Sequence, residues 1–560
     1  MNQILPAKRW IVARPEPSLA ASLARSLNLR PSLAQVLLNR GYHDAESALA
    51  FLNPRLQNLH DPFELPHMSA AVDRVLEAIG EQQRIVIYGD YDVDGVTSSA
   101  LLLRVLLEAG AVVHNFLPHR MEEGYGLSRD GIARCLKEAK PALLIAVDCG
   151  TSSRDEIADL GRQGIDAIVL DHHEAPAKLP ECVAVVNPKI GEGTDLASVG
   201  ISFKFAHALL KRDARLAERI DLRRHLDLVA IGTVADIVPL TGENRILVKA
   251  GLERLPQTRK VGLRALLEVA DVSERVNPYH IGFRIGPRLN AAGRLADAMA
   301  ALELLLTEDP NRAAKLAEML DERNTERQHI EEKIVEAALL QARQFAGDRV
   351  LVLADESWHV GVIGIVASRI TQEFYRPSIV IGQRGRGSCR SIAGFSIVEA
   401  LAQCSSYLEK FGGHEMAAGL SVRRDKIPEL RRALNKLAGQ TLHGDALTPA
   451  VTVEAMIKLE EIDDQFISQL SRFEPCGPGN PTPVFAVEGV QLRGPPRLVG
   501  KNHLRFNVTD GETTANAIWW GHGEVKLPQK RFDIAFSAEL HAYQGVESVQ
   551  LKVRDVKEEG

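Results

Sequence analysis

The chain has 560 residues, of which 45% are hydrophobic, 25% charged and 5% aromatic, and its formal net charge is −6. This balance fits a globular protein of about three or four domains and carries no overall basic signature of a nucleic-acid binder, although binding depends on local patches. The six cysteines (Cys135, Cys149, Cys182, Cys389, Cys404, Cys476) include no CxxC pair, which argues against a disulfide framework or zinc ribbon; with no apolar leader and no stretch approaching a membrane span, the reading is a reduced, cytoplasmic protein.

Residues 1–80 read as mostly helical with Pro-rich connections. From about residue 84, short β-branched runs alternate with helical segments: "RIVIYGD", a helix through "TSSALLLRVLLEAG", "VVHNFLP", a helix at "RDGIARCLKEA", "ALLIAVDCG", a helix at "SRDEIADLGRQ", and "DAIVLDHHE". That alternation predicts βαβ units and a parallel sheet. "LRRHLDLVAIGTVADIVPL" predicts an apolar helix ending near Pro239, and 310–346 a long polar helix that could span ~50 Å at ~1.5 Å per residue and connect two bodies. A second, smaller α/β unit is expected at about 350–440, within a basic island: residues 376–440 carry 11 Lys and Arg against 5 Asp and Glu. Five or so short strands after 448 predict a β-barrel, with an OB-fold leading. The expected domains are 1–308, a connecting helix 309–346, then 347–448 and 449–560.

Asp90, Asp92 and Asp94 follow the strand "RIVIY"; Asp148 ends "LLIAVD"; Asp171, His172 and His173 end "AIVLDHH"; Asp236 ends the apolar helix. A lone Asp after a strand is usually a helix cap or turn residue, and a His pair is often structural. Jointly, at the carboxyl ends of strands, where α/β sheets bind ligands, they predict carboxylates converging in one cleft. Such a cluster needs cations. Oxygen ligands with one or two imidazoles favour Mg2+ or Mn2+ over zinc, and this many carboxylates suggests two ions able to activate water for in-line phosphoryl displacement. No G-x-S-x-G elbow or P-loop is present, and the His173-Glu174 and His414-Glu415 pairs have Ala177 and Ala418 where a zincin helix needs histidine.

"GDYDVDGVTS", "AVDCG", "VLDHHE" and "GTVADIVPL" resemble, in order, the four signature motifs of the DHH phosphoesterase superfamily, and most closely its exonucleases specific for single-stranded DNA. The resemblance covers roughly residues 50–560 and implies that Asp90 and Asp92 hold one metal, that Asp94, His172 and Asp236 hold the second, and that Asp148 bridges them. It places His173 beside the scissile phosphate and makes Asp171 the group that orients the His pair.

By the same resemblance, Arg120 and Tyr125 contact the entering nucleotide, and Arg284, Arg288, Asn290 and Arg294 in "FRIGPRLNAAGRL" follow the DNA backbone. "GRGSCRSIAGFS" and "FGGHEMAAGLS" resemble the DHH-associated domain, with Ser388, Arg390 and Ser391 near a terminal phosphate and Gly412, Gly413 and His414 lining the cleft. A pocket for a 5′ phosphate would account for exonuclease action with 5′→3′ polarity. Of the barrel aromatics Phe506, Trp519, Trp520, Phe536 and Tyr543, about two are expected to reach DNA. The implied protein is a two-domain clamp with an OB-fold, binding two divalent cations and single-stranded DNA, releasing 5′-mononucleotides, discriminating against duplex ends, able to work as a monomer, and cooperating with a helicase or single-strand-binding protein. The alternatives are a small-substrate DHH phosphoesterase, such as a pyrophosphatase or oligonucleotide phosphodiesterase, and a non-catalytic DNA-binding scaffold. The barrel speaks against the first and the complete acidic set against the second.

Overall fold

The computed structural model describes residues 8–558 apart from 120–122, 124–125, 192–194, 274, 296–297 and 544–545. Contacts divide the chain into two units: residues 53–327 with 474–481, and residues 1–52 with 328–473 and 482–560.

The first unit is built on five parallel strands in the order Val112–Phe116, Arg84–Gly89, Leu143–Val147, Asp166–Leu170, Ala184–Val186. The three central strands are apolar and almost wholly buried, as expected where helices cover both faces of a parallel sheet. The fifth strand is three residues long and lies beyond the strands anticipated from the sequence. Helices Val93–Glu108, Ser198–Arg212 and Leu226–Ala235 pack together in one apolar core. Within that core, Lys204 Nζ lies 2.6 Å from Glu243 Oε1 and donates to the His60 carbonyl at 2.8 Å, and Lys260 lies 2.7 Å from Asp227. Both pairs are almost completely buried, so each charge relies on its partner. Buried Arg245 donates to the carbonyls of Glu474 and Pro475, which ties the segment "EPCGPGNP" to this unit.

The helix that was expected to end near Pro239 stops at Ala235. Ile237 has φ 62, a left-handed conformation that costs a β-branched residue energy and turns the chain out of the helix.

The long helix runs Pro310–Gln344, and the division between units falls within it. The smaller α/β domain has a mixed sheet in the order Lys410–Gly413, Ala417–Ser421, Arg386–Arg390, Ser378–Ile381, Leu351–Ala354, in which the last two strands are parallel and the others antiparallel. The C-terminal sheet runs Phe485–Leu492, Phe532–Tyr543, Val546–Glu558, Thr514–Trp520, His503–Thr509, and a direct pairing of the first with the last closes it. Five strands closed in this way form the OB-type barrel.

Residues 1–52 were expected within a 1–308 domain. Residues 8–52 pack instead with the barrel: Leu33, Val36, Leu37 and Phe51 share a core with Phe466, Phe473, Phe485 and Phe536. The strand Arg9–Val12 pairs in parallel with Ala450–Val453, Arg40 forms a half-buried ion pair with Glu454 at 3.0 Å, and Trp10 Nε1 donates to Asp555. No helix among the described residues is long and apolar enough to cross a membrane.

Candidate metal centre

The site is assembled at the carboxyl edge of the parallel sheet. Asp90, Asp148 and Asp171 each follow directly on a strand, those ending at Gly89, Val147 and Leu170. Asp92 caps the helix Val93–Glu108, its Oδ1 accepting from the N–H groups of Asp94 and Gly95 at 2.9 and 3.1 Å. This is ordinary capping chemistry, and it turns Asp94 inward on the first helical turn. Gly95 is required by closeness, since a Cβ there would lie 2.5 Å from the Asp90 carbonyl. Asp148 itself has φ 62, a strained backbone of the kind that gathers at functional sites.

Three sets of ligand atoms lie within 4.8 Å of one another: Asp90, Asp92 and Asp148; Asp94, His172 and Asp236; and Asp148, His172 and His173. His172 Nε2 is 3.4 Å from both Asp148 Oδ1 and Asp236 Oδ2. Asp90 Oδ2, Asp236 Oδ2 and His172 Nε2 are buried without a hydrogen-bond partner among the described residues. Orphaned polar atoms at this depth are costly, and three aimed into one acidic cluster are the arrangement a cation relieves. The residues present therefore fit divalent cations: hard oxygen donors predominate, with imidazole as the minority ligand.

The electrostatics point the same way. Burial first, and neighbouring carboxylates second, push Asp90 and Asp148 well above the usual carboxylate range, Asp94 to about 7 and Asp236 to about 9. Burial, with the neighbouring His173, lowers His172 to about 4, which leaves a neutral imidazole able to ligate. The second histidine behaves oppositely. Burial disfavours its charge, but the hydrogen bond and charge of Asp171 outweigh burial and raise His173. Burial likewise pushes Asp171 up, yet the hydrogen bonds from His173 and Thr151 hold its carboxyl well below the ordinary range. Asp171 Oδ1 is 2.7 Å from His173 Nδ1 and also accepts from the backbone N–H groups of His172 and His173. The result is an imidazole whose protonated form Asp171 favours, fixed beside an acidic cluster.

Several supporting residues carry no sequence motif. Ser198 and Val199, at the N-terminus of helix Ser198–Arg212, donate their N–H groups to the two oxygens of Asp94 at 2.7 and 2.9 Å, and the Ser198 hydroxyl donates to Asp148 Oδ1 at 2.9 Å. A helix N-terminus favours a carboxylate by its dipole as well as its free donors. Asn187 donates to Thr151 Oγ1 and to the His173 carbonyl, while Thr151 N–H donates to Asp171 Oδ2. Gly232, within "GTVAD", keeps the space beside Asp94 open: a Cβ there would meet Asp94 Oδ1 at 2.9 Å.

The other anticipated residues fall in three places. Arg120 and Tyr125, and the side chain of Arg294, lie outside the described residues. Helix Gly286–Leu295 borders the centre: a Cβ added at Gly286 would lie 3.6 Å from Ala235, beside Asp236, and one at Gly293 would lie 2.8 Å from the carbonyl of Tyr91, between Asp90 and Asp92. Asn290 is half-buried on this helix. Arg288 is engaged by the protein, donating to the carbonyls of Arg284 and Val269 and pairing with Asp321 at 2.7 Å. In the smaller α/β domain, Arg390 Nη1 donates to Ser388 Oγ at 3.3 Å. A Cβ added at Gly364, in the first turn of helix Ile363–Phe374, would lie 3.1 Å from Ser388 Oγ and 3.5 Å from Arg390 Nη2. Ser391 is buried and its hydroxyl donates to the Phe395 carbonyl. Gly412 and Gly413 are exposed on the edge strand, and His414 is exposed just beyond it. Of the barrel aromatics, Phe506, Trp519 and Phe536 are core residues, Trp520 is half-exposed, and the Tyr543 side chain lies outside the described residues.

Fold and site together define a DHH phosphoesterase: the chain matches the DHH family N-terminal domain over residues 84–233 and the DHHA1 domain over 347–440. It also matches the RecJ OB domain over 453–555. It is 37% identical to the single-stranded-DNA-specific exonuclease RecJ of Bacillus subtilis, over 98% of this chain and 70% of that protein, and 32% identical to RecJ of Escherichia coli, over 94% and 96%. The crystal structure of Thermus thermophilus RecJ in complex with Mn2+ superposes with a TM-score of 0.86 at 31% identity, covering 99% of this chain and 80% of that one; a second structure of the same protein contains Mg2+ and gives 0.78. The chain belongs to the RecJ family.

Proposed function

We propose that the chain degrades single-stranded DNA from its 5′ end, releasing 5′-mononucleotides by phosphodiester hydrolysis, in DNA recombination and repair. The observation that carries this reading is the convergence of Asp90, Asp92, Asp94, Asp148, His172 and Asp236, with three partnerless ligand atoms, in a chain of this family. Asp90 and Asp92 would hold one divalent cation, Mn2+ or Mg2+, and Asp94, His172 and Asp236 a second, with Asp148 shared. Such a pair, when bound, activates water and neutralises charge in an in-line displacement. The protein's own contribution is positional and electrostatic. His173, whose protonated form Asp171 favours, donates to a non-bridging oxygen of the scissile phosphate as charge develops there. Asn187 holds the His173 carbonyl and Thr151 holds Asp171, the carboxylate that orients that imidazole.

Ser388, Arg390 and the first turn of helix Ile363–Phe374 bring a hydroxyl, a guanidinium and a helix N-terminus to one place, a combination suited to a terminal phosphate. We assign the 5′ phosphate to it. On the barrel, the outward row Arg497, His503, Arg505 and Trp520 supports a DNA-binding role: Trp520 lies edge-on to His503 at 4.5 Å, and Arg497 is paired across the strands with Arg505. A helicase or single-strand-binding protein would present the strand, and a monomer in the cytoplasm suffices for the chemistry.

The test is a time course on a 5′-phosphorylated single strand, with Mn2+ and with Mg2+, beside a blunt duplex and a dinucleotide. Mononucleotides should appear from the single strand. Equal rates on duplex, or cleavage confined to the dinucleotide, would reject the reading.

A further inference from the structure

The helical segment that borders the metal centre begins with an anomaly. Asn277 caps a short turn, Pro278–His280, which continues through the π-helical turn Ile281–Ile285 into helix Gly286–Leu295. Ile281 and Ile285 are fully buried, and the face they leave outward is not polar: Tyr279 is 59% exposed and Phe283 68%. Their rings stack on each other at 4.8 Å and 26°. Arg284 follows immediately, partly exposed, its Nη1 reaching Asp271.

We propose that Tyr279 and Phe283 form a stacking platform for bases of the single strand running to or from the metal centre. This rests on the function proposed above and names a specificity element that none of the DHH signature motifs contains. Three observations support it. The first is continuity: the segment packs against helix Leu226–Ala235, whose next residue is Asp236, and Phe283 and Tyr279 precede Gly286 by three and seven residues, roughly 5 and 10 Å at ~1.5 Å per residue. The platform thus lies one to a few nucleotides from the cluster. The second is the type of surface. Two stacked rings expose about the π area that one base can cover, whereas a stable protein interface buries ~800 Å² per partner. The third is composition: exposed aromatic rings offer a base-stacking face beside a basic side chain, Arg284, the kind of surface used by single-strand binders without sequence preference. A π-helical turn inside an α-helix also recurs at functional positions.

The platform acts on long substrates and not on the reacting phosphate, which sets the test. Wild type and Tyr279→Ser/Phe283→Ser are compared in steady-state hydrolysis, with Mn2+, of a 5′-phosphorylated 20-mer of thymidylate and a 5′-phosphorylated dinucleotide. The double variant should raise KM for the 20-mer about tenfold or more, leave dinucleotide turnover within about twofold, and leave unchanged the slope of log KM against log salt concentration, because no phosphate contact is removed. Tyr279→Trp/Phe283→Trp should restore the wild-type KM. An unchanged KM for the 20-mer, a smaller salt slope, or an equal loss on both substrates would overturn the platform; equal loss would assign the rings a structural role, and the tryptophan variant and a thermal melt identify it. Failure of the wild type itself to degrade the 20-mer would instead overturn the proposed function.

Discussion

The hydroxyl of Ser198 donates to Oδ1 of Asp148 at 2.9 Å, while the backbone N–H of the same residue donates to Oδ2 of Asp94 at 2.7 Å. One residue at a helix N-terminus thus fixes two carboxylates that come from different elements of the sheet edge. Ser198→Ala removes the first bond and keeps the second. Groups that orient ligands typically change metal affinity about 10- to 100-fold. The Mn2+ concentration for half-maximal hydrolysis should therefore rise about tenfold, with the rate at saturating Mn2+ close to wild type. A metal titration curve that superposes on wild type would remove Ser198 from the site.

Asp148 has a side chain only 2% exposed, and its charge is opposed by burial and by Asp92, Asp94, Asp90 and Asp236. Asp148→Asn keeps the shape, and its amide oxygen can still accept from Ser198. Hydrolysis should be lost, with less than about one thousandth of the wild-type rate left. In EDTA the same variant should melt higher than wild type, by roughly 2–4 °C, as expected when about 1 kcal/mol of repulsion is relieved in a unit of this size. Added Mn2+ should raise the wild-type melting temperature more than that of the variant, since a ligand stabilises by its affinity for the folded state. Calorimetry with and without metal checks all three, and a variant that melts lower in EDTA would show that the cluster carries no strain.

The parts of this site that could be read in advance are those whose chemistry repeats locally. Three aspartates at alternate positions after an apolar run are visible without a structure, and so are Asp148 and Asp171 at the ends of two later strands. What could not be read depends on distance in sequence. Ser198 touches residues 50 and 104 positions away, and a serine at a helix start is otherwise an ordinary cap. Asn187 follows a three-residue strand, too short to show a period of two. The N-terminal helices gave the right secondary structure but the wrong partner, because an amphipathic helix announces that it has an apolar face and not what will cover it. Arg40 against Glu454 is a pairing across more than 400 residues that no local pattern encodes.

The cradle of Ser388, Arg390 and Gly364 leads to a prediction about substrate ends. Arg390→Ala removes the guanidinium and leaves the metal ligands untouched. For a 5′-phosphorylated single strand, KM should rise about 10- to 100-fold, the range for a charge-assisted contact of about 1.5–3 kcal/mol. For the same strand with a 5′ hydroxyl the change should be slight, so the preference for phosphate collapses. Competition between the two strands measures this directly. An equal effect on both would assign Arg390 to the domain's own structure, where it already donates to the Cys389 carbonyl.

His225 connects the pH dependence of folding to the helix that presents Asp236. It sits at the N-cap of helix Leu226–Ala235, is 4% exposed, and neither ring nitrogen has a hydrogen-bond partner among the described residues. Burial first, then Lys260, lowers it to about 4, against a partial rise from Asp227. The sign follows from which state binds the proton. The unfolded imidazole titrates near 6.5, so between about 6.5 and 4 the unfolded chain takes up a proton that the folded chain refuses. Folding stability is therefore full above pH 6.5 and falls as the pH drops through that window, by up to roughly 3 kcal/mol for a shift of this size. His225→Leu removes the titrating group at similar volume. Its melting temperature should fall less than that of wild type between pH 6.5 and 4.5, so the difference between the two proteins shifts in favour of the variant as the solution is acidified. Parallel curves across that range would show that His225 takes up its proton as readily in the folded protein as in the unfolded chain and that acid lability arises elsewhere.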